Sequence, residues 1–256
     1  MIRVVILWGL GINCEEETKA AYELAGAKTQ LVHINEFLSE IYSLDDYQIL
    51  HFPGGFSFGD HLGAGKVLAN RIRFKKAKDG QSFLDKLHCF IKKGGFIFGV
   101  CNGFQILVSL GLLPGFDSEI KTVSLISNES GLFQDRWVSC KFESKNPLSK
   151  LWTHKESIYL PIRHGEGRLF VSDHETAEKI EECNSIAMTY SDENPNGSFK
   201  SCAALSTQDG RVLGMMPHPE AFLSFFNSPQ WCGKTKTEAD GLRFFKNLLH
   251  YVEGTI

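Results

Sequence analysis

The chain has 256 residues, 43% of them hydrophobic and 22% charged, with 27 basic side chains against 30 acidic ones and a formal net charge of −3. That composition suits an ordinary soluble globular protein with a large core, and it supplies no overall basic field to hold a nucleic acid or an anionic membrane. No run approaches the roughly 18 apolar residues of a membrane span, and residues 1–10 hold one Arg, a short apolar run and no small-residue cleavage site, so they read as a buried first strand and not as a signal peptide.

Residues 4–7 form a continuous β-branched run, and 15–25 has helical character with Glu15, Glu16 and Glu17 at the positive end of its dipole. The next strands are expected at 30–34 and 48–52, followed by helix-compatible stretches at 62–78 and 82–93. A strand at 96–100 runs into a helix at 103–110, which Gly111 and Pro114 stop. Alternating strands and helices imply βαβ units and parallel strands buried on both faces. The pattern then changes: 123–126, 136–142 and 157–162 read as antiparallel strands joined by polar loops. Further on come a helix at 175–182, strands at 186–190, 202–205 and 212–216, and an amphipathic helix at 239–252 with Leu242, Phe245, Leu248 and Leu249 on one face. The expectation is one α/β domain over 1–256, with a mainly parallel open sheet flanked by helices and an antiparallel excursion around 120–162. The loops at 192–199 and 227–237 read as surface excursions, and the basic stretch holding Arg71, Arg73, Lys75, Lys76 and Lys78 as a solvated helix face, with a docking surface for an acidic partner or a phosphate-bearing substrate as the second reading.

Seven cysteines without a C-x-x-C pair argue against both a disulfide framework and a zinc site, so no metal is expected and the compartment implied is reducing and cytosolic. Several, such as Cys202 beside Ala203 and Ala204, read as small core residues. Cys101 differs. It sits in Gly99-Val100-Cys101-Asn102-Gly103, between an apolar strand and a helix, the arrangement of a nucleophile elbow. The turn forces the nucleophile into strained φ/ψ, and side chains two positions to either side would collide. The sulfur must be accessible, the helix N-terminus favours negative charge there, and the Asn102 N–H is placed to donate to an oxyanion. With 24 glycines in the chain, seven cysteines produce that five-residue pattern by chance about 6% of the time, so its weight comes from the strand and helix around it.

A nucleophilic thiol needs a base. His218 is fixed between Pro217 and Pro219 at the end of an apolar strand, with Glu220 two residues on to set its tautomer. Cys101 and His218 both fall at carboxyl ends of expected strands, where open α/β sheets build their sites. His218 is expected at the rim of the site, with little core packing. Pro53-Gly54-Gly55-Phe56-Ser57-Phe58-Gly59-Asp60 follows a strand; it reads either as a plain turn or as a loop whose Gly55 N–H is a second oxyanion donor. Arg163-His164-Gly165-Glu166-Gly167-Arg168 reads equally as a substrate or partner contact and as a solvated hairpin tip.

Together these residues resemble the triad-type, class I glutamine amidotransferases, and among them most closely the glutaminase subunits of phosphoribosylformylglycinamidine synthases. The resemblance rests on residues 53–60, 99–107, 164–167, 194–198, 214–220 and 239–245, in order along nearly the whole chain. It implies a glutaminase that delivers ammonia to a synthetase partner, with or without a small accessory subunit, and the partner converts formylglycinamide ribonucleotide to the formylglycinamidine with ATP and magnesium. It implies Cys101 as nucleophile, His218 as proton carrier, Glu220 as its orienter, and Gly55 and Asn102 as the oxyanion hole. Gln105 would shape the glutamine pocket, with His164 and Glu166 as further substrate contacts. No cofactor is expected in this chain, which has no Walker A motif. The sequence departs from the family at Trp8-Gly9-Leu10-Gly11-Ile12-Asn13-Cys14, where Pro-Gly is usual before the Asn-Cys pair, and at Ala221 and Phe222 after Glu220, where an arginine is common; 69–83 and 225–237 look long, and 128–138 resembles the amidotransferase domain of the large single-chain synthase. Two other readings stand beside this one: a stand-alone cysteine hydrolase acting on γ-glutamyl substrates, and a non-catalytic interaction subunit that keeps the fold.

Overall fold

The computed structural model describes residues 1–116, 122–152, 157–232 and 238–255. The first half builds β1 (Arg3–Trp8), α1 (Glu15–Ala25), β2 (Lys28–His33), α2 (Ile34–Leu38), β3 (Ile49–Phe52), α3 (Lys66–Phe74), α4 (Phe83–Lys92), β4 (Phe96–Val100) and α5 (Asn102–Leu110). There follow β5 (Val123–Ile126), β6 (Gln134–Phe142), β7 (Ile158–His164), β8 (Arg168–Val171), α6 (His174–Glu182), β9 (Ile186–Tyr190), β10 (Cys202–Ser206), β11 (Val212–Met215) and α7 (Asp240–Glu253).

Nine strands form one mixed sheet in the order β2-β1-β3-β4-β11-β10-β9-β6-β7, and β5 and β8 pair as a small antiparallel sheet. From β2 to β11 the neighbours are parallel; from β11 to β7 they are antiparallel. The antiparallel part therefore reaches further along the chain than 120–162, through β9 to β11. Strands β3, β4 and β11 are buried along their whole length, as expected of strands covered on both faces. His51 and Phe98 point to the face covered by α1 and α7, where they meet Tyr22, Phe244 and Phe245. Gly99, next in β4, points to the opposite face, where a Cβ would come 2.7 Å from Gly103 of α5. Full burial of each large apolar side chain contributes about 1.5–3 kcal/mol, and the buried side chains join β1, β3, β4, β11, α5 and α7 into one core.

Several expectations shift. In α7 the buried stripe holds Phe244 beside Phe245, Leu248 and Leu249, with Leu242 only partly covered, because the helix rolls toward the aromatic cluster. The basic stretch keeps its solvated face but narrows to α3, which buries Leu68, Ala69 and Ile72. Arg71 and Arg73 donate to Asn35 Oδ1 and to the Ser109 carbonyl. Residues 163–168 are not a flexible loop: β7 runs through His164 and β8 begins at Arg168, leaving only a short turn. Residues 192–199 are not a free surface excursion either, since Asn196 and Ser198 are buried and Asn196 Nδ2 donates to the Gly167 carbonyl at 2.8 Å. Residues 120, 121 and 153–156 of the expected excursion, and 233–237 of the last loop, lie outside the described residues. Among the described residues no helix is long and apolar enough to cross a membrane.

Candidate active site

Strand register decides which loops meet. Val100 pairs with Met215 and Gly99 with Phe52 in parallel ladders, and Ile6 of β1 pairs with His51 of β3. The segments leaving the carboxyl ends of β1, β3, β4 and β11 therefore emerge side by side, and they carry Cys14, Gly54 and Gly55, Cys101, and His218. This is the edge of an open α/β sheet at which sites form.

Cys101 caps α5 with φ 50° and ψ −103°, the strained elbow that the sequence implies. The flanking glycines are sterically required: a Cβ on Gly103 would lie 1.9 Å from the Phe52 carbonyl oxygen, and one on Gly99 would strike Gly103 itself. The thiol donates to the Arg163 carbonyl at 3.5 Å. The expected accessibility is not found in this state, for Cys101 is only 5% exposed beneath the end of β7. Cys140 and Cys202 are core residues as read, and burial pushes both thiols up, beyond useful ionisation.

His218 and Glu220 are also buried, at 2% and 3% exposure, so the expected rim position of His218 is wrong. The Pro161 carbonyl of β7 accepts the His218 N–H at 2.8 Å, which draws this turn inward. His218 Nδ1 hydrogen-bonds Glu220 Oε1 at 2.5 Å, fixing the ring. Burial opposes charge on the imidazole, but the Glu220 carboxylate and the Cys101 sulfur outweigh it and hold the ring well above its ordinary range. Nε2 is buried outside standard hydrogen-bond geometry; contacts of this kind tighten only once substrate is bound. A thiol, an imidazole and a carboxylate thus come together in the order that activates sulfur as a nucleophile.

The Pro-Gly-Gly loop is no plain turn. A Cβ on Gly54 would sit 2.7 Å from His218 Cε1, so the loop backbone packs directly on the imidazole. Gly55 has φ 142° and bridges to Ile12, and a Cβ there would strike Asn13, Gly11 and Ile12. Asn102 occupies the first turn of α5, where backbone N–H groups have no intrahelical acceptor. Its side chain ties the loop to the helix: Oδ1 accepts from Ser57 N at 3.2 Å and Nδ2 donates to Asp60 Oδ1 at 3.2 Å.

Gln105, His164 and Glu166 all reach this region, but each is already engaged. Gln105 accepts from Asn102 Nδ2 at 3.0 Å and donates to the Glu166 carbonyl at 2.6 Å, bracing α5 against the turn after β7. Glu166 Oε2 accepts from Ala64 N at 3.2 Å. His164 Nδ1 bonds Asn128 Oδ1 at 3.0 Å; burial, with the nearby His218 charge, lowers it to about 4, so this ring is neutral. Asn128 also donates to the Leu132 and His164 carbonyls and accepts from Gly167 N.

Sequence reasoning missed Cys14. It caps α1, where its carbonyl accepts from Thr18 Oγ1 at 2.7 Å, and its sulfur joins an imidazole nitrogen of His218 and a carboxylate oxygen of Glu220 within 4.8 Å of one another. Burial raises the Cys14 thiol above its ordinary range, contact with His218 opposes that, and the Glu220 charge adds to it. Only the Asn13-Cys14 pair just past the first strand pointed there.

Comparison with known proteins shows the family. Residues 1–252 match the CobB/CobQ-like glutamine amidotransferase domain. The chain is 39% identical to the phosphoribosylformylglycinamidine synthase subunit PurQ of Dehalococcoides mccartyi, over 98% of this chain and 97% of that one. It is 35% identical to the subunit of the same name from Archaeoglobus fulgidus, over 98% and 97%. Among solved structures, a chain in the structure of PurLQS from Thermotoga maritima superposes with a TM-score of 0.74 at 28% identity, over 98% of this chain and 99% of that one.

Proposed function

The chain belongs to the CobB/CobQ-like glutamine amidotransferase family, and from that premise we propose that it is the glutaminase subunit of a phosphoribosylformylglycinamidine synthase in purine biosynthesis. The observation that carries the chemistry is the convergence of Cys101, His218 and Glu220 at the carboxyl ends of β4 and β11. The full-length similarity to PurQ subunits supports the assignment to this synthase.

In this reading the Cys101 proton passes to His218 Nε2, and the sulfur attacks the side-chain amide carbon of glutamine. The resulting oxyanion is held by the Gly55 and Asn102 N–H groups, donors typically worth about 10²–10³ in rate each. Collapse breaks the C–N bond, His218 returns the proton to the leaving nitrogen, and ammonia departs from a γ-glutamyl thioester. Water deprotonated by His218 then releases glutamate and restores the thiol. Glu220 keeps the proton-carrying ring oriented and stabilises its cationic form. Gln105, His164 and Glu166 hold the turn after β7 over the sulfur, and glutamine enters beneath it. Ammonia goes to a synthetase partner of the PurL kind, which supplies the site for ATP and magnesium; no cofactor belongs to this chain. The reading carries with it a cytoplasmic location.

The test is to mix the purified chain with the synthetase, formylglycinamide ribonucleotide and ATP-magnesium. Glutamine turnover is low alone and rises sharply in the assembled mixture, with formylglycinamidine as product. A high rate on γ-glutamyl peptides that ignores the partner would make it a stand-alone cysteine hydrolase instead.

A further inference from the structure

Beside the sulfur that attacks glutamine lies a second thiol that the reaction sequence leaves unused. Cys14 Sγ, an imidazole nitrogen of His218 and a carboxylate oxygen of Glu220 all fall within 4.8 Å of one another. A Cβ on Gly54 would meet Cys14 Sγ at 3.2 Å, His218 Cε1 at 2.7 Å and His218 Nδ1 at 3.4 Å, so the sulfur and the ring both pack on the same point of the loop. An independent observation points to a ligand: Glu220 Oε2 is buried without a hydrogen-bond partner, in a residue only 3% exposed. A buried, unsatisfied carboxylate oxygen is costly and marks a place where an ion or water belongs.

We propose that Cys14, His218 and Glu220 form an inhibitory site for a soft divalent cation of the zinc class, built directly onto the proton-carrying pair. One thiolate, one imidazole and one carboxylate are a zinc donor set. At zinc–sulfur and zinc–nitrogen distances of about 2.3 and 2.1 Å, tetrahedral ligands stand about 3.6 Å apart. Cys14 Sγ, no more than 4.8 Å from the other two atoms, therefore closes by about 1.2 Å at most, while His218 Nδ1 and Glu220 Oε1, 2.5 Å apart, open by about 1 Å, both within reach of side-chain rotation. Water takes the fourth position.

On binding, the Cys14 thiol loses its proton to solvent, and the cation replaces the proton shared by His218 Nδ1 and Glu220 Oε1. The imidazole keeps its remaining proton on Nε2 and can no longer accept one from Cys101, so turnover stops without any redox step. Blockage of the glutaminase rests on the function proposed above; occupancy of the site does not.

The experiment titrates zinc ions into the Cys101→Ser protein by calorimetry, which requires no turnover, and repeats the titration with Cys14→Ser added. One zinc equivalent binds to the first protein; without Cys14 its affinity falls at least about tenfold, the lower end of the effect of losing even an outer-shell partner. Equal affinity in both proteins, or no zinc bound to the first, overturns the proposal. The native protein is then assayed for glutaminase at buffered free zinc. Inhibition is reversed by a chelator and weakened to the same extent in Cys14→Ser, measured against that variant's own metal-free rate. Inhibition unchanged by Cys14→Ser also overturns it. If no glutaminase activity is found at all, the function reading fails while the calorimetry still decides the site.

Discussion

Replacing Gly54 with Ala adds one methyl group at the place where the Pro-Gly-Gly loop presses on the His218 ring. Gly54 does not adopt a positive φ, so its backbone accepts Ala without strain and the whole effect comes from contact. The new Cβ would lie 2.7 Å from His218 Cε1, whereas carbon atoms rest at about 3.5–4.0 Å, so the imidazole must retreat by about 1 Å. Cys14 Sγ, at 3.2 Å from the same position, is crowded as well. A displacement of that size costs about 10²-fold in rate, or about 2.7 kcal/mol in the barrier. Overpacking lowers folding stability by about 1–3 kcal/mol, too little to unfold the chain. The assay follows glutamine-dependent and ammonia-dependent product formation in the assembled synthase, with thermal melting as the fold check. Gly54→Ala loses the first activity and keeps the second. Glutamine-dependent kcat within twofold of the unchanged protein would refute the placement of this ring in the reaction.

Cys101→Ser removes glutamine-dependent synthesis while the complex still uses free ammonia; loss of both activities would make the residue structural. His218→Ala lowers glutaminase kcat by about 10²–10⁴. Because it strands the buried Glu220 carboxylate, it also costs about 3–5 kcal/mol in denaturant unfolding, more than a rim histidine would. Acid stability is set in part by two buried neutral rings: burial lowers His51 to about 3 and His164 to about 4, against about 6.5 in the unfolded chain. Folded values below unfolded ones give stability that is complete above about pH 6.5 and lost as pH falls, the His164 share by about pH 4 and the His51 share by about pH 3, with a combined slope of about 2.7 kcal/mol per pH unit near pH 5. In His51→Gln, whose amide can keep the Tyr22 hydroxyl bond but does not titrate, that slope falls by about half; an unchanged slope in unfolding titrations would contradict the assignment.

Much of the site was legible because its geometry constrains sequence locally. The elbow must carry Gly99 and Gly103, since backbone lies where their side chains would go, and His218 is held in a proline-bounded turn with its carboxylate two residues away. Other features depend on contacts between residues far apart. Nothing near Cys14 says that it meets a ring 204 positions later, and Gly54 reveals its contact with that ring only once β3, β4 and β11 are in register. The burial of His218 comes from the Pro161 carbonyl and the Gly54 backbone, invisible in a motif that looks like an exposed turn. Two elements were hidden by atypical signals. Helix α2 is opened by His33, whose ring accepts from Asn35 N while Glu36 reaches back in a capping box, and histidine is a rare cap. Strand β8 is short and follows Gly165 and Gly167, so its start looked like the end of a loop until β5 paired with it.

The central claim is that Cys101 forms a covalent bond to the glutamine side chain. It is tested most directly by acid-quenching the protein during turnover with isotopically labelled glutamine and mapping the label by peptide mass spectrometry. The account predicts a γ-glutamyl thioester on the peptide holding Cys101 and none on that holding Cys14. Label on a different cysteine, or steady turnover with no covalent adduct in a Cys101→Ser protein, would contradict it.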